Sequence, residues 1–177
     1  DMIFNDLLRA LKMGRSPLLL TERVEHLELL EKLLRRFAKN IVVLKGGMGA
    51  KQRKAVAEQI KNIPGSEERV LLATGRYIGE GFDDARLDTL FLAMPISWRG
   101  TLQQYVGRLH RLYDSKRVVQ VHDYVDCHIP VLMRMYSKRV KGYQAIGYMI
   151  HDDANSEEQQ GKEYEYIPDG DISSLKT

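Results

Sequence analysis

Cysteine is nearly absent from the 177 residues, and the single Cys127 excludes an internal disulfide or a set of paired thiolate ligands. Long apolar runs are missing as well. No stretch of about 18 apolar residues occurs, which argues against a membrane-spanning helix. The opening residues mix charge with Leu, Ile and Phe where a signal peptide would have an apolar core. These absences point to a soluble, cytoplasmic protein with no membrane partner. A third absence concerns chemistry, because the phosphate-loop pattern G-x-x-x-x-G-K-[ST] does not occur. Its nearest approach, Gly46 to Gln52, lies between a strand-like and a helix-like stretch. It has Ala50 in place of the second glycine and Gln52 in place of the hydroxyl that would hold magnesium. A stand-alone nucleotide-binding enzyme such as a small kinase is disfavoured accordingly.

What is present fits one globular domain with a sizeable core: 44% hydrophobic and 29% charged residues. The chain opens on Asp1 and Met2 and is expected to begin inside a longer polypeptide. Its net charge of +3 hides an asymmetry. Of 24 acidic and 27 basic residues, 8 and 2 fall in 152–177, so residues 1–151 carry 16 acidic and 25 basic, a balance of +9. A basic body is the footprint of a polyanion binder, although solvated surfaces can share it.

Short β-branched or leucine-rich runs recur at Pro17 to Leu20, Ile41 to Leu44, Val70 to Ala73, Thr89 to Ala93 and Val118 to Asp123. They read as buried strands of a parallel sheet. Helix-like stretches alternate with them. Thr21 is placed to cap one, with Glu22 and Glu25 in its first turn, Leu27, Leu30, Leu33, Leu34 and Phe37 at helical spacing, and Arg35, Arg36 and Lys39 at its end. Ala50 to Ile63 makes a second, closed by Pro64-Gly65. Residues 1–14 read as a short amphipathic helix ending at Gly14, and 129–150 as a longer helical region with possible breaks at Gly142 or Gly147. The pattern predicts a three-layer α/β domain, a mainly parallel sheet flanked by helices, whose ligands gather beyond the carboxyl ends of the strands. Three divisions follow: an N-terminal helix or linker over 1–15, the α/β domain over 16–150, and an acidic tail over 151–177 that should be mobile or loosely docked.

Two segments carry chemistry. After the third strand, Thr74, Gly75, Arg76, Gly79, Gly81 and Asp83 fall within one glycine-rich stretch. Its glycines permit close approach of backbone to a ligand, Thr74 offers a hydroxyl, and Asp83 can accept from a ribose or orient an arginine. A plain turn between sheet and helix is the alternative. Further on, Gln104, Arg108 and Arg111 lie at i, i+4 and i+7, so on a helix two guanidinium groups converge on one anion. A solvated basic helix is the alternative there.

Taken together, Thr-Gly-x5-Gly-Phe-Asp and Gln-x3-Gly-Arg-x2-Arg, about 20 residues apart and each after a strand, resemble motifs V and VI of superfamily 2 helicases. Pro17 to Arg23 resembles motif IV, and Gly49 to Arg53 resembles the turn and arginine that follow the family's next strand. The likeness spans about residues 16–126. It implies the second RecA-like lobe of a helicase or translocase, not an ATPase by itself, with a non-catalytic nucleic-acid or protein scaffold as the other reading. Spelling such as Val-Gly-Arg-Leu-His-Arg is more similar to the type III restriction-subunit and XPB-like branch than to DEAD-box proteins, which implies DNA more than RNA and a possible nuclease or methyltransferase partner. In family terms, Arg108 and Arg111 would be arginine fingers and Gln104 would order the nucleotide. Gly79, Gly81 and Asp83 would adjoin that nucleotide, and Thr74, Gly75, Arg76, Thr21, Glu22 and Arg23 would face the nucleic acid. ATP and Mg2+ would be held mainly by a first lobe of the same polypeptide.

Other features receive plainer readings. His122, Cys127 and His128 match no usual metal-ligand spacing and read as a core cysteine with strand-end histidines, so no metal site is expected. Trp98 with Arg99 reads as loop packing more than base stacking. The basic stretch Met133 to Lys141 reads as a helix resting on the sheet with its charged face in water, and Tyr164 and Tyr166 as exposed aromatics of the tail.

Overall fold

The computed structural model of the chain describes residues 2–75, 77, 84–96, 102–114, 116–151 and 161–166. Helix α1 (Met2–Lys12) leads into β1 (Pro17–Thr21), α2 (Val24–Leu34), β2 (Ile41–Leu44), α3 (Ala50–Asn62) and β3 (Val70–Thr74). Then come β4 (Thr89–Leu92), α4 (Gln103–Leu109), β5 (Val119–Tyr124), α5 (Pro130–Ala145), β6 (Met149–His151) and β7 (Gly161–Tyr166). All belong to one sheet ordered β2-β3-β1-β4-β5-β7-β6. The first five strands of that order pair in parallel, whereas β7 runs antiparallel to both β5 and β6.

Alternation along the central strands divides the core in two. Leu18, Leu20, Leu71, Ala73, Leu90 and Leu92 face α4 and α5, whose Tyr105, Val106, Leu109, Tyr136 and Tyr143 cover them, with Val56 and Ile60 of α3 beside them. On the other face Leu19, Leu72 and Phe91 pack against Leu7 and Leu11 of α1 and Leu27, Leu30 and Leu34 of α2. The result is the three-layer α/β arrangement that the strand and helix periodicities predict. Since β1, β3 and β4 are buried along their whole length, continuous apolar runs were the correct signature for them.

Several local expectations need correction. Thr21 is the last residue of β1, not the cap of α2. Its hydroxyl accepts from the Arg23 N–H at 3.3 Å, and α2 begins at Val24 with no side-chain cap, so Glu22 lies outside the helix. Helix α2 ends at Leu34, which leaves Phe37 exposed with its ring edge-on to Phe4 at 5.5 Å. Helix α5 runs straight through Gly142, and the chain turns at Gly147, where φ is 91°. Cys127 is exposed, not a core residue. Within the segment read as a mobile tail, Gly161–Tyr166 is a strand whose six residues pair with β5 from Val119 to Tyr124, while 152–160 and 167–177 lie outside the described residues.

The order of strands locates the ligand end. From β1 the chain moves outward to β2, returns to β3, then crosses to β4 on the other side. That reversal makes the carboxyl ends of β3, β1 and β4 a topological switch point, where a crevice opens for ligands.

Candidate nucleotide and nucleic-acid site

Thr21 and Thr74 close β1 and β3 as register partners, so the segments that resemble motifs IV and V come side by side at the switch point. Both threonines are buried. The Thr74 hydroxyl accepts from the Gly46 N–H at 2.7 Å, which draws the turn after β2 onto the end of β3. In that turn Gly47 takes a φ of 84°, and the Arg53 Nε donates to the Met48 carbonyl at 2.9 Å. The end of β3 and the turn that follows β2 are thus joined directly.

Gly75 stands at a close approach, where an added side chain would have to push the Met94 terminus aside. A Cβ there would come within 2.8 Å of the Met94 Cε, and the Gly75 carbonyl accepts from the Tyr105 hydroxyl. Tyr105 sits on the buried face of α4, so a hydrogen bond inside the protein joins the glycine-rich stretch to the arginine helix. Burial pushes the Tyr105 phenol above its ordinary pKa, partly offset by the Arg108 charge and reinforced by Glu22. The segments that resemble motifs V and VI therefore meet at one phenol.

Helix α4 exposes Gln104 and half-buries Arg108, while its other face packs Tyr105, Val106 and Leu109 into the core. It ends at Leu109, so Arg111 does not continue the helical face as its i+7 spacing suggests. Arg111 lies instead in a tight turn, its N–H donating to the Arg108 carbonyl at 3.3 Å, and its side chain is exposed. Gln104, Arg108 and Arg111 remain on one short segment at the carboxyl edge. Glu22 and Arg23 are exposed at the end of β1, where Arg23 approaches Glu25 at 3.8 Å. Arg76, Gly79, Gly81 and Asp83, as well as Trp98 and Arg99, lie outside the described residues.

Side chains that sequence spacing did not single out support this edge. Arg139 of α5 is buried and grips Asp123 of β5 through two hydrogen bonds of 2.7 and 2.8 Å, while its third donor reaches the Ile96 carbonyl beyond β4 at 2.6 Å. Tyr143 adds a hydrogen bond to Asp123 at 3.2 Å. Burial raises the Asp123 pKa, and the Arg139 and Tyr143 contacts pull it back. Arg139 had read as one more charge on a basic helix face. Arg134, Lys138 and Lys141 of that helix do face solvent or sit at its margin. Beside this network, Ala93, Met94, Pro95, Tyr124, Val125 and Leu132 line much of a mostly apolar cavity of about 290 Å³.

The side-chain donors that reach the surface there, the guanidinium groups of Arg108 and Arg111 and the amide of Gln104, suit phosphate oxygens. Among the described residues no group of three or more His, Cys, Asp and Glu side chains comes together to hold a metal ion.

Comparison with known proteins identifies the family and the fold. Residues 2–113 match the family described as the helicase conserved C-terminal domain. The uncharacterized protein 108L of Invertebrate iridescent virus 3 is 37% identical over 81 residues, which cover 46% of this chain and 73% of that protein. Among solved structures, UvsW of T4 superposes with a TM-score of 0.62 at 14% identity, over 81% of this chain and 32% of that one. The C-terminal domain of S. cerevisiae Dbp5, solved bound to Gle1 and IP6, gives 0.58 at 13% identity, over 81% and 78%. The C-terminal part of the Fun30 ATPase domain gives 0.54 at 15%, over 63% and 36%. These structural likenesses are of fold, and the chain spans about a third of the Fun30 and UvsW structures.

Proposed function

Since the chain belongs to the helicase conserved C-terminal domain family, we propose that it is the second motor lobe of an ATP-dependent superfamily 2 helicase or translocase. ATP with its Mg2+ is gripped mainly by a first RecA-like lobe, and this lobe closes over it. Arg108 and Arg111 then reach the γ-phosphoryl, whose transfer is accelerated chiefly by positioned positive charge. Gln104 orders the nucleotide, with Gly79, Gly81 and Asp83 beside it. Thr21, Glu22, Arg23, Thr74, Gly75 and Arg76 form part of the nucleic-acid track. Closure and reopening alter the spacing of backbone-binding sites on the two lobes and so move the motor along a strand.

One observation carries the reading: the Tyr105 hydroxyl bonded to the Gly75 carbonyl. It couples the segment proposed to touch nucleic acid to the segment proposed to touch nucleotide, which is what a motor requires and a passive scaffold does not. The spelling of the two motifs favours DNA as the track and the type III restriction-subunit or XPB-like branch, with a nuclease or methyltransferase as partner. Absence of paired cysteines favours action in the cytoplasm.

A direct test compares residues 1–177 with the full-length protein that contains the first lobe. The chain alone should show no ATP turnover above background, and the full-length protein should show turnover stimulated by nucleic acid. Robust turnover by the chain alone would contradict the division of labour. A well-folded but inactive full-length protein would favour the scaffold.

A further inference from the structure

A helix of seven residues cannot hold its own shape in water, so the position of α4 must be imposed from outside. Its front and middle are held by features already described. The Arg139 bond to Ile96 anchors the chain before the helix, and Tyr105 anchors its centre. What fixes its far end, where Arg111 departs, is a separate matter.

Four carbonyls at that end have identified donors. Gly107 O accepts from the His110 N–H and Arg108 O from the Arg111 N–H, both at 3.3 Å. Leu109 O and Arg111 O accept from a single donor, the Lys116 ammonium, at 2.8 Å each. A lysine astride two carbonyls at a helix carboxyl end is favoured by the helix dipole as well as by the hydrogen bonds. The neighbouring side chain is held too. His110 Nε2 lies 2.9 Å from the Tyr148 hydroxyl, and Tyr148 stands just beyond Gly147, in the turn that closes α5. The Tyr148 ring is buried and packs 5.9 Å from the ring of Tyr143, which bonds Asp123. Residues 109, 110 and 111 are each gripped, the first and last through Lys116 and the middle one through Tyr148.

We propose that Lys116 and Tyr148 are positioning residues for the arginine pair, holding the turn that carries Arg111 so that its guanidinium is presented to the nucleotide. This deepens the motor reading above and rests on it. Neither side chain touches the nucleotide. Both act through the backbone and ring at the end of α4, and a small displacement there is enough to slow phosphoryl transfer.

The test uses the full-length protein, with nucleic-acid-stimulated ATP hydrolysis measured for wild type, Lys116→Met, Lys116→Arg, Tyr148→Phe, Arg111→Ala and the double variant Lys116→Met with Arg111→Ala. Thermal unfolding is recorded for each. Lys116→Met and Tyr148→Phe should each lower kcat by roughly tenfold, with the KM for ATP and the nucleic-acid Kd within about twofold of wild type. Lys116→Arg should recover most of the rate. The double variant should be no slower than Arg111→Ala alone, because bracing has no effect once the guanidinium is gone. Wild-type kcat in both single variants, beside an impaired Arg111→Ala, would overturn the positioning role and leave the motor reading intact. Losses that multiply in the double variant would likewise overturn it, since they would mean that Lys116 serves stability alone. An inactive wild type would overturn the motor reading and this inference with it.

Discussion

The two edges of the sheet use charge in opposite ways. At the amino edge the arginines are sealed into the protein. Arg15 donates to Thr89 Oγ1 and to the carbonyls of Asp88 and Val118, tying the starts of β1, β4 and β5 together, while the Ser16 N–H donates to the Asp88 carboxylate at 2.9 Å. Arg69 is buried and paired with the part-buried Asp84, and Arg86 donates to the carbonyls of Pro64 and Glu67. At the carboxyl edge Arg108 is half-buried, Arg111 and Gln104 are exposed, and the internal joins are made by hydroxyls, Thr74 to Gly46 and Tyr105 to Gly75. Among the described residues, Arg139 with Asp123 puts a sealed ion pair at that edge. One end of the sheet therefore ties its arginines into internal bonds, whereas the other leaves Gln104 and Arg111 exposed to solvent.

The sharpest way to break this contrast is at its exception. Arg139→Met would leave Asp123 buried without its cation and should destabilise the fold by about 3–5 kcal/mol, read by denaturant unfolding. A change under about 1 kcal/mol would mean that the pair is not the anchor described. The partner of Arg139 lies 16 residues away on another element, which explains why the basic helix gave no hint of it. Charge spacing along one helix reveals a solvated face but not a long-range ion pair that draws one charge inward.

A second test falls on β5, whose His122 stacks flat on Phe91 at 4.4 Å with an interplanar angle of 2°. Burial, aided by Arg15 and Arg9, lowers its pKa from 6.5 to about 4. Between those two values the unfolded chain binds more protons than the folded one. The His122 contribution to stability should therefore be constant above pH about 6.5 and fall as pH drops toward 4, by about 3 kcal/mol. His122→Phe should flatten that slope in urea midpoints taken across the window. An unchanged slope would place the titrating group elsewhere.

The smallest effect concerns the hydroxyl joint of the ligand edge. Tyr105→Phe removes one hydrogen bond to Gly75 and should cost about 1 kcal/mol in stability. In the full-length protein the same change should weaken stimulation of ATP hydrolysis by nucleic acid more than it weakens unstimulated hydrolysis. Equal losses in both rates would show that the joint is structural only.

Legibility followed burial. Strands β1, β3 and β4 were plain because every residue in them is covered, so nothing polar interrupts the run. Strand β7 was hidden because Glu163 to Tyr166 alternates charge with tyrosine in an acidic setting, and the antiparallel partner that orders it, β5, lies about 40 residues upstream. At the candidate site, spacing placed Gln104 and Arg108 on one helix, and both do lie on α4 with Gln104 exposed and Arg108 half-buried. The end of α4 was misread, since the i+7 position of Arg111 assumes a helix that continues, whereas Lys116 and Tyr148 hold a turn that stops it. Lone lysine and tyrosine side chains carry no pattern that would reveal such a role.

The account stands most directly on the chemistry of the exposed edge. ATP hydrolysis and nucleotide binding should be measured on the full-length protein, as wild type and as Arg108→Ala. The account predicts a fall in kcat of roughly 10³-fold with ATP binding largely retained. Equal turnover in the two proteins would contradict it.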